Sequence, residues 1–364
     1  MRLTDLQSAT QVEAERIMTI CNACRYCEGH CAVFPAMEKR LAFGQADVEY
    51  LANLCHNCGS CYHHCQYADP HEFKVNVPQT FSDLRQQTYA TYAFPRFMGK
   101  AFENNGMWAT IITVLSFFSL FWFFGGSSFA GAAFYDIIPH SLMANTFGAV
   151  GAVALLALVA GIVRYWRALS LPSPLKLHWG HIITGIKQGV TLKYLDGGSG
   201  DGCTYPNEAP SHARRIFHQL TFFGFMLCFG ATSVGTVYHY GFDWIAPYAY
   251  LTVPKILGIS GGIGLIIGPI GLLWLKYIAD DAPKATANKG MDVAFLILLL
   301  MTSITGLVLM LAKGSILLGP ILIIHLSFVL ALFITLPYGK FVHGFYRLVA
   351  LIKYAFENEE SSNN

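Results

Sequence analysis

Charge is what this sequence has least of. Only 13% of its 364 residues are Asp, Glu, Lys or Arg, against about a quarter in soluble domains. With 54% apolar residues and a mean hydropathy of +0.44, that shortage excludes a wholly soluble enzyme and a disordered chain. The net charge of +2 supplies no basic surface for nucleic acid. Residues 1–106 lack any apolar run of membrane length, and the polar opening MRLTDLQSATQVEAERIM fits neither a signal peptide nor an anchor. No GxGxxG follows a strand, which removes the usual dinucleotide site. Ten cysteines are too few for a disulfide scaffold of this length, yet eight of them lie between Cys21 and Cys65.

Beyond residue 106 long apolar runs take over. A helix needs about 20 residues to cross the hydrocarbon layer, and six such spans are expected at 107–125, 145–163, 216–238, 253–275, 291–312 and 318–341. The segments 1–106, 164–215, 276–290 and the stretch after 339 hold 22 of the 24 Lys and Arg residues. Positive charge marks the cytoplasmic side, so both termini are expected there. Three parts follow: a cytoplasmic domain at 1–106, a six-span membrane domain at 107–341 with a cytoplasmic loop at 164–215, and a cytoplasmic tail at 342–364. The interiors of these spans carry no Asp, Glu, Lys or Arg, which argues against a proton-coupled transporter.

The cysteines repeat. CNACRYCEGHC at 21–31 and CHNCGSCYHHC at 55–65 are both C-x2-C-x2-C-x3-C, 34 residues apart. This is the spacing of bacterial two-cluster ferredoxins, where the fourth cysteine of each motif serves the other cluster. Cys21, Cys24, Cys27 and Cys65 are therefore expected to hold one [4Fe–4S] cluster, and Cys55, Cys58, Cys61 and Cys31 a second. The proline that often follows the fourth cysteine is absent, with Ala32 and Gln66 in its place. Zinc would need separated pairs and leaves the third cysteine of each motif unexplained. Disulfides do not suit a reducing cytoplasm. The intervening AMEKRLAFGQADVEYLANL has helical character, which points to an all-α two-cluster module. His30, His56, His63 and His64 flank the ligands rather than join them.

Histidine is the polar residue left in the spans. At 1.5 Å per residue, His218 and His239 stand about 31 Å apart on the third span, and His325 and His343 about 27 Å apart on the sixth, which runs the other way. His218 then comes level with His343, and His239 with His325. One b haem is expected at the first pair and a second at the other, with Arg214 and Arg215 placed to meet haem propionates. For His239 a simple headgroup-level position explains the residue equally well. In the 164–215 connection, His178, His181 and His212 are expected at the surface, and Cys203 is expected to be a loop thiol without a role.

The blocks CNACRYCEGHCAVFPAME, CHNCGSCYHHCQYADPHEF, YLDGGSGDGCTYP and RRIFHQLTFFGF resemble the tricarballylate/citrate utilisation protein B family over nearly the whole chain. The sixth span is also similar to nitrate-reductase-type cytochrome b subunits. The resemblance implies a protein of the bacterial cytoplasmic (inner) membrane. It would accept electrons from an FAD-dependent flavoprotein dehydrogenase that oxidises tricarballylate, and pass them through the clusters and haem to the quinone pool. No catalytic carboxylate, nucleophile or hydride site of its own is visible. Two alternatives stay open: a heterodisulfide-reductase-like subunit serving another dehydrogenase, and a transporter gated by an iron–sulfur sensor.

Overall fold

The computed structural model describes residues 8–124, 134–169, 178–198, 200–246, 248–285 and 289–363. Parts of the 164–215 connection, residues 170–177 and 199, lie outside this set. Among the described residues the fold is all-α apart from one two-stranded ribbon.

Five helices build the N-terminal module: α1 (Ala9–Cys24), α2 (Val33–Glu38), α3 (Gln45–Leu54), α4 (Ser60–His63) and α5 (Val77–Tyr92). Their starts are written in the sequence. The Ser8 hydroxyl accepts from the Gln11 amide at 3.2 Å, the Asp47 carboxylate from Gly44 at 3.2 Å, and the Asn76 side chain from Gln79 at 3.2 Å, with Pro78 in the first turn. Each satisfies an amide that the first turn leaves without a partner.

The remaining helices are α6 (Arg96–Phe124), α7 (Phe134–Ile137), α8 (His140–Leu169), α9 (Trp179–Val190), α10 (Ala213–Phe242), α11 (Val253–Ile278), α12 (Lys289–Leu311), α13 (Leu318–Thr335) and α14 (Val342–Asn363). The ribbon pairs β1 (Cys203–Thr204) with β2 (Pro210–Ser211), antiparallel. Six of the helices are long and apolar enough to cross a membrane: Asn105–Phe123 within α6, α8, α10, α11, Gly290–Leu311 within α12, and α13. Asn105 interrupts α6 with φ −141° and ψ 36°, where the soluble and apolar parts of the sequence meet. Uncovered rows such as Leu155, Leu156 and Val159 on α8 suit a lipid surround, because lipid replaces a protein core there.

Glycine sets the closest helix contact. Gly261, Gly264, Gly268 and Gly271 of α11 face α10 so tightly that a Cβ on Gly271 would stand 2.3 Å from the Phe217 ring, and one on Gly224 of α10 2.9 Å from the Gly261 carbonyl. Small residues at helical spacing let backbones approach in this way. At the module end of the bundle, Asp292 of α12 pairs with Lys276 of α11 at 3.2 Å and with Lys340 at 2.8 Å.

Two expectations are corrected. The sixth span ends at Thr335, and a turn through Pro337 separates it from α14, so His343 sits on a separate helix. The tail expected at 342–364 is no tail: Tyr346, Val349, Ala350, Leu351 and Tyr354 of α14 share one buried core with Tyr50, Leu51 and Phe81 of the N-terminal module. Arg40 clasps this helix through Glu357 at 2.6 Å. The amphipathic period of α14 buries one face against that module.

Candidate functional site

The two cysteine motifs surround two adjoining cavities. Cys21, Cys24, Cys27 and Cys65 line the first, with about 420 Å³ of empty space. Cys31, Cys55, Cys58 and Cys61 line the second, with about 350 Å³. Both volumes include open solvent. Phe34, Cys61 and Val77 line both cavities and form their common wall. The fourth cysteine of each motif therefore crosses to the other's cavity. Among the described residues no three His, Cys, Asp or Glu side chains are placed to hold a single metal ion; each set of four surrounds space for a larger group.

Left alone, such thiols resist ionisation. Burial, with neighbouring Cys27, Cys65 and Cys24 adding to it, pushes Cys21 up to about 12. Burial with Cys65 and Cys24 does the same to Cys27. Cys31 and Cys61 are pushed well above the ordinary thiol range, again by burial first. Four thiolates in one place need a cationic group between them. The donor set, all sulfur and arranged in fours, fits iron–sulfur ligation.

The sites differ in cover. Cys55 and Cys58 are buried, while Tyr26 and Gln66 on the rim of the first cavity are exposed. The glycine-rich loop before β1 closes over the first motif near Gly29, and β1 itself over the second at Gly59. A Cβ on Gly198, at φ +89°, would stand 2.4 Å from the Gly29 carbonyl, and one on Gly59, at φ +85°, 2.4 Å from the Thr204 carbonyl. Only glycine allows both the left-handed backbone and that approach. Cys203 is not a free loop thiol: it is fully buried on β1 and packs with Cys58, Leu192 and Leu195. His181 is likewise not at the surface; it is buried against α14 and bonded to the Glu359 carboxylate. His178 and His212 are exposed.

The membrane histidines divide. His218 of α10 and His343 of α14 come together, their rings edge to face with centroids 6.0 Å apart. His343 Nδ1 lies 2.6 Å from the Lys340 carbonyl, which leaves Nε2 as the free ligating nitrogen. His218 Nδ1 is buried without a partner. A facing imidazole pair with an orphaned buried nitrogen fits haem ligation. His239 and His325 are not brought together. His239 stacks on His140 at the head of α8, centroids 3.9 Å apart. His325 leans on α12, with Nδ1 3.0 Å from Thr305 Oγ1 and its ring beside Gly306.

The arginines are engaged by backbone. Arg214 donates to the Asn57 carbonyl inside the second cysteine motif, and Arg215 to the Thr191 carbonyl at 3.0 Å. Arg85 and Arg347, to which the sequence assigns no role, reach the same motif: Arg347 Nη2 donates to the Cys55 carbonyl at 2.8 Å and Arg85 Nη1 to the same carbonyl at 2.5 Å. The spacing between Arg347 and His343 repeats that between Arg214 and His218, and this was the available signal.

An all-α iron–sulfur module on six membrane-crossing helices defines a class, that of polytopic membrane proteins with a ferredoxin-like domain. Within it, residues 14–91 match the Citrate utilization protein B Fer4-like domain and residues 105–364 match Citrate utilization protein B. The chain belongs to the citrate utilization protein B family. It is 49% identical over 353 residues to Citrate utilization protein B of Escherichia coli, covering 95% of this chain and 92% of that one. No solved structure matches it.

Proposed function

We propose that this chain is the membrane electron-transfer subunit of a citrate or tricarballylate oxidation system. It accepts electrons from a partner flavoprotein dehydrogenase on the cytoplasmic side and delivers them to quinone. The observation that carries this reading is the pair of adjoining four-cysteine cavities with their crossed fourth cysteines. Cys21, Cys24, Cys27 and Cys65 would hold one [4Fe–4S] cluster, Cys31, Cys55, Cys58 and Cys61 the other, and His218 and His343 a b haem. Bound there, these groups supply one-electron carriers that no side chain of the chain can replace.

The chain's own residues set the route. Phe34, buried between the two cavities, keeps water out of the wall they share. The cover of the glycine loop and of Cys203 does the same over Cys58. The lysine and arginine distribution supports cytoplasmic termini in a bacterial inner membrane. In this reading the oxidation of the organic acid belongs to the partner.

The test is a dithionite-reduced-minus-oxidised optical spectrum of the purified protein with iron and acid-labile sulfide assays on the same sample. Sharp b-type bands with about eight non-haem irons are expected. Eight irons without haem bands would remove His218 and His343 from the route, and about four irons or fewer would overturn the two-cluster reading.

A further inference from the structure

The two sulfur sites do not share their charge. Arg85 of α5, Arg214 of α10 and Arg347 of α14 converge on the second motif, Arg85 and Arg347 donating to the Cys55 carbonyl and Arg214 to the Asn57 carbonyl. Among the described residues no ion pair joins any of the three to a carboxylate. Arg85 is buried, and Arg347 keeps a buried Nε without a partner. Burial, then the proximity of Arg85, pulls Arg347 down to about 10. Buried guanidinium groups without an acid are costly, so their countercharge belongs to something else at the site. Four thiolates around a cluster are anionic as a unit, and the three arginines bond the backbone of Cys55 and Asn57 in the motif that would carry them.

The first motif is supplied otherwise. Its arginine, Arg25, donates to the Asn22 carbonyl at 3.1 Å, but from an exposed position with Glu28 in the same motif. Water and salt screen such charges. A nearby buried cation favours the more negative, reduced form of a cluster and so raises its potential.

The backbone places the same arginines between cluster and membrane. Arg214 precedes His218 by four residues on α10, and Arg347 follows His343 by four on α14. Since α10 leaves the module and α14 enters it, both arginines lie one turn nearer the cysteines than their histidines do.

We propose that Arg85, Arg214 and Arg347 are the built-in countercharge of the Cys31, Cys55, Cys58 and Cys61 site and give it the higher potential of the two. The rimmed, partly exposed Cys21, Cys24, Cys27 and Cys65 site then takes each electron from the partner, and the second site hands it on toward His218 and His343. One electron leaves the first site as one arrives at the second, and no proton moves between them. The inference rests on the two-cluster reading above.

The experiment is an EPR-monitored redox titration of the full-length protein in detergent, with iron and sulfide counted on every sample. Cys58→Ser identifies the signal of the second site and Cys24→Ser that of the first. Arg347→Gln should leave the iron count intact and lower the potential of the second-site signal, shifting the equilibrium between the two sites at least tenfold, about 59 mV for one electron. Arg347→Lys, which keeps the charge, should restore most of the shift. Arg214→Gln tests the same point from another helix should Arg347→Gln fail to assemble, and the exposed Arg25→Gln should move the first-site signal by less. A full iron count with both potentials unmoved in Arg347→Gln and Arg214→Gln overturns this inference alone. A count near four irons in the unaltered protein overturns the two-cluster reading and this inference with it.

Discussion

Gly268 offers a test of how firmly the histidine-bearing helix α10 is held. A Cβ there would stand 2.4 Å from Thr221 Oγ1, 2.7 Å from the Thr221 amide nitrogen and 2.8 Å from the Phe217 carbonyl. The hydroxyl can rotate away, but the two backbone atoms cannot. Ordinary contact begins near 3.5 Å, so Gly268→Ala must part the helices by about 0.8 Å, enough to forfeit a quarter to a half of the dispersion along the seam. Overpacking of this kind costs about 1–3 kcal/mol. Gly230→Ala is the comparison, because its nearest neighbour is Leu257 Cδ1 at 3.8 Å; it should gain about 0.5–1 kcal/mol from replacing a helical glycine. Thermal unfolding in detergent, followed on both variants beside the parent, should place them on opposite sides of it. The b-haem bands expected under the proposed function give a second readout, since Phe217 and Thr221 flank His218 and must move with it. A Gly268→Ala protein as stable as the parent would refute the claim that backbone contact fixes this helix pair.

Two further outcomes follow from the charges. Asp292→Asn strips Lys276 and Lys340 of their carboxylate and should cost about 2 kcal/mol, below the figure for a wholly buried pair because Lys276 is 31% exposed; Asp281→Asn, 92% exposed beside Lys284, should cost almost nothing by the same unfolding assay. Glu49 lies outside the membrane spans, and burial raises its pKa against the lowering influence of Tyr92 and Gln45. The folded state therefore holds that proton longer than the unfolded state. Its contribution is fullest below pH 4.5 and declines as pH rises through the raised value. Glu49→Gln should flatten that part of the stability–pH curve, and an unchanged slope between pH 4 and 7 would count against the assignment.

Much of this architecture can be read from the chain because its strongest signals are local. Six apolar runs and the eight-cysteine repeat need no knowledge of tertiary structure. The grouping of Cys65 with Cys21 and of Cys31 with Cys55 follows from spacing alone, and the two cavities group them that way. What escaped the sequence reading depends on partners distant in the chain. Arg85 and Arg347 look like ordinary surface charges until α5 and α14 meet at the Cys55 turn. His239 looked level with His325 by rise per residue, but depth does not say which neighbour a ring faces, and His140 was nearer. The glycines of YLDGGSGDGC resemble loop filler until Gly198 is seen against Gly29. Helix α14 reads as a tail because its apolar face is interrupted by Lys353 and Glu357, whose partners, among them the Leu169 carbonyl, Arg40 and Tyr50, come from distant elements.

That last helix bears on how the protein is made. The N-terminal module is translated before the six apolar helices, yet part of its core comes from Tyr346, Val349, Ala350, Leu351 and Tyr354, which are translated after them. Its opening helices must wait, cysteines uncovered, while six hydrophobic segments pass into the bilayer. The segment that packs on Cys58 lies midway along the chain, next to α10, whose Arg214 reaches the Asn57 carbonyl. A ribosome stalled before residue 342 would therefore leave a polypeptide whose two cysteine motifs are complete in sequence but whose module lacks the part of its core that α14 supplies.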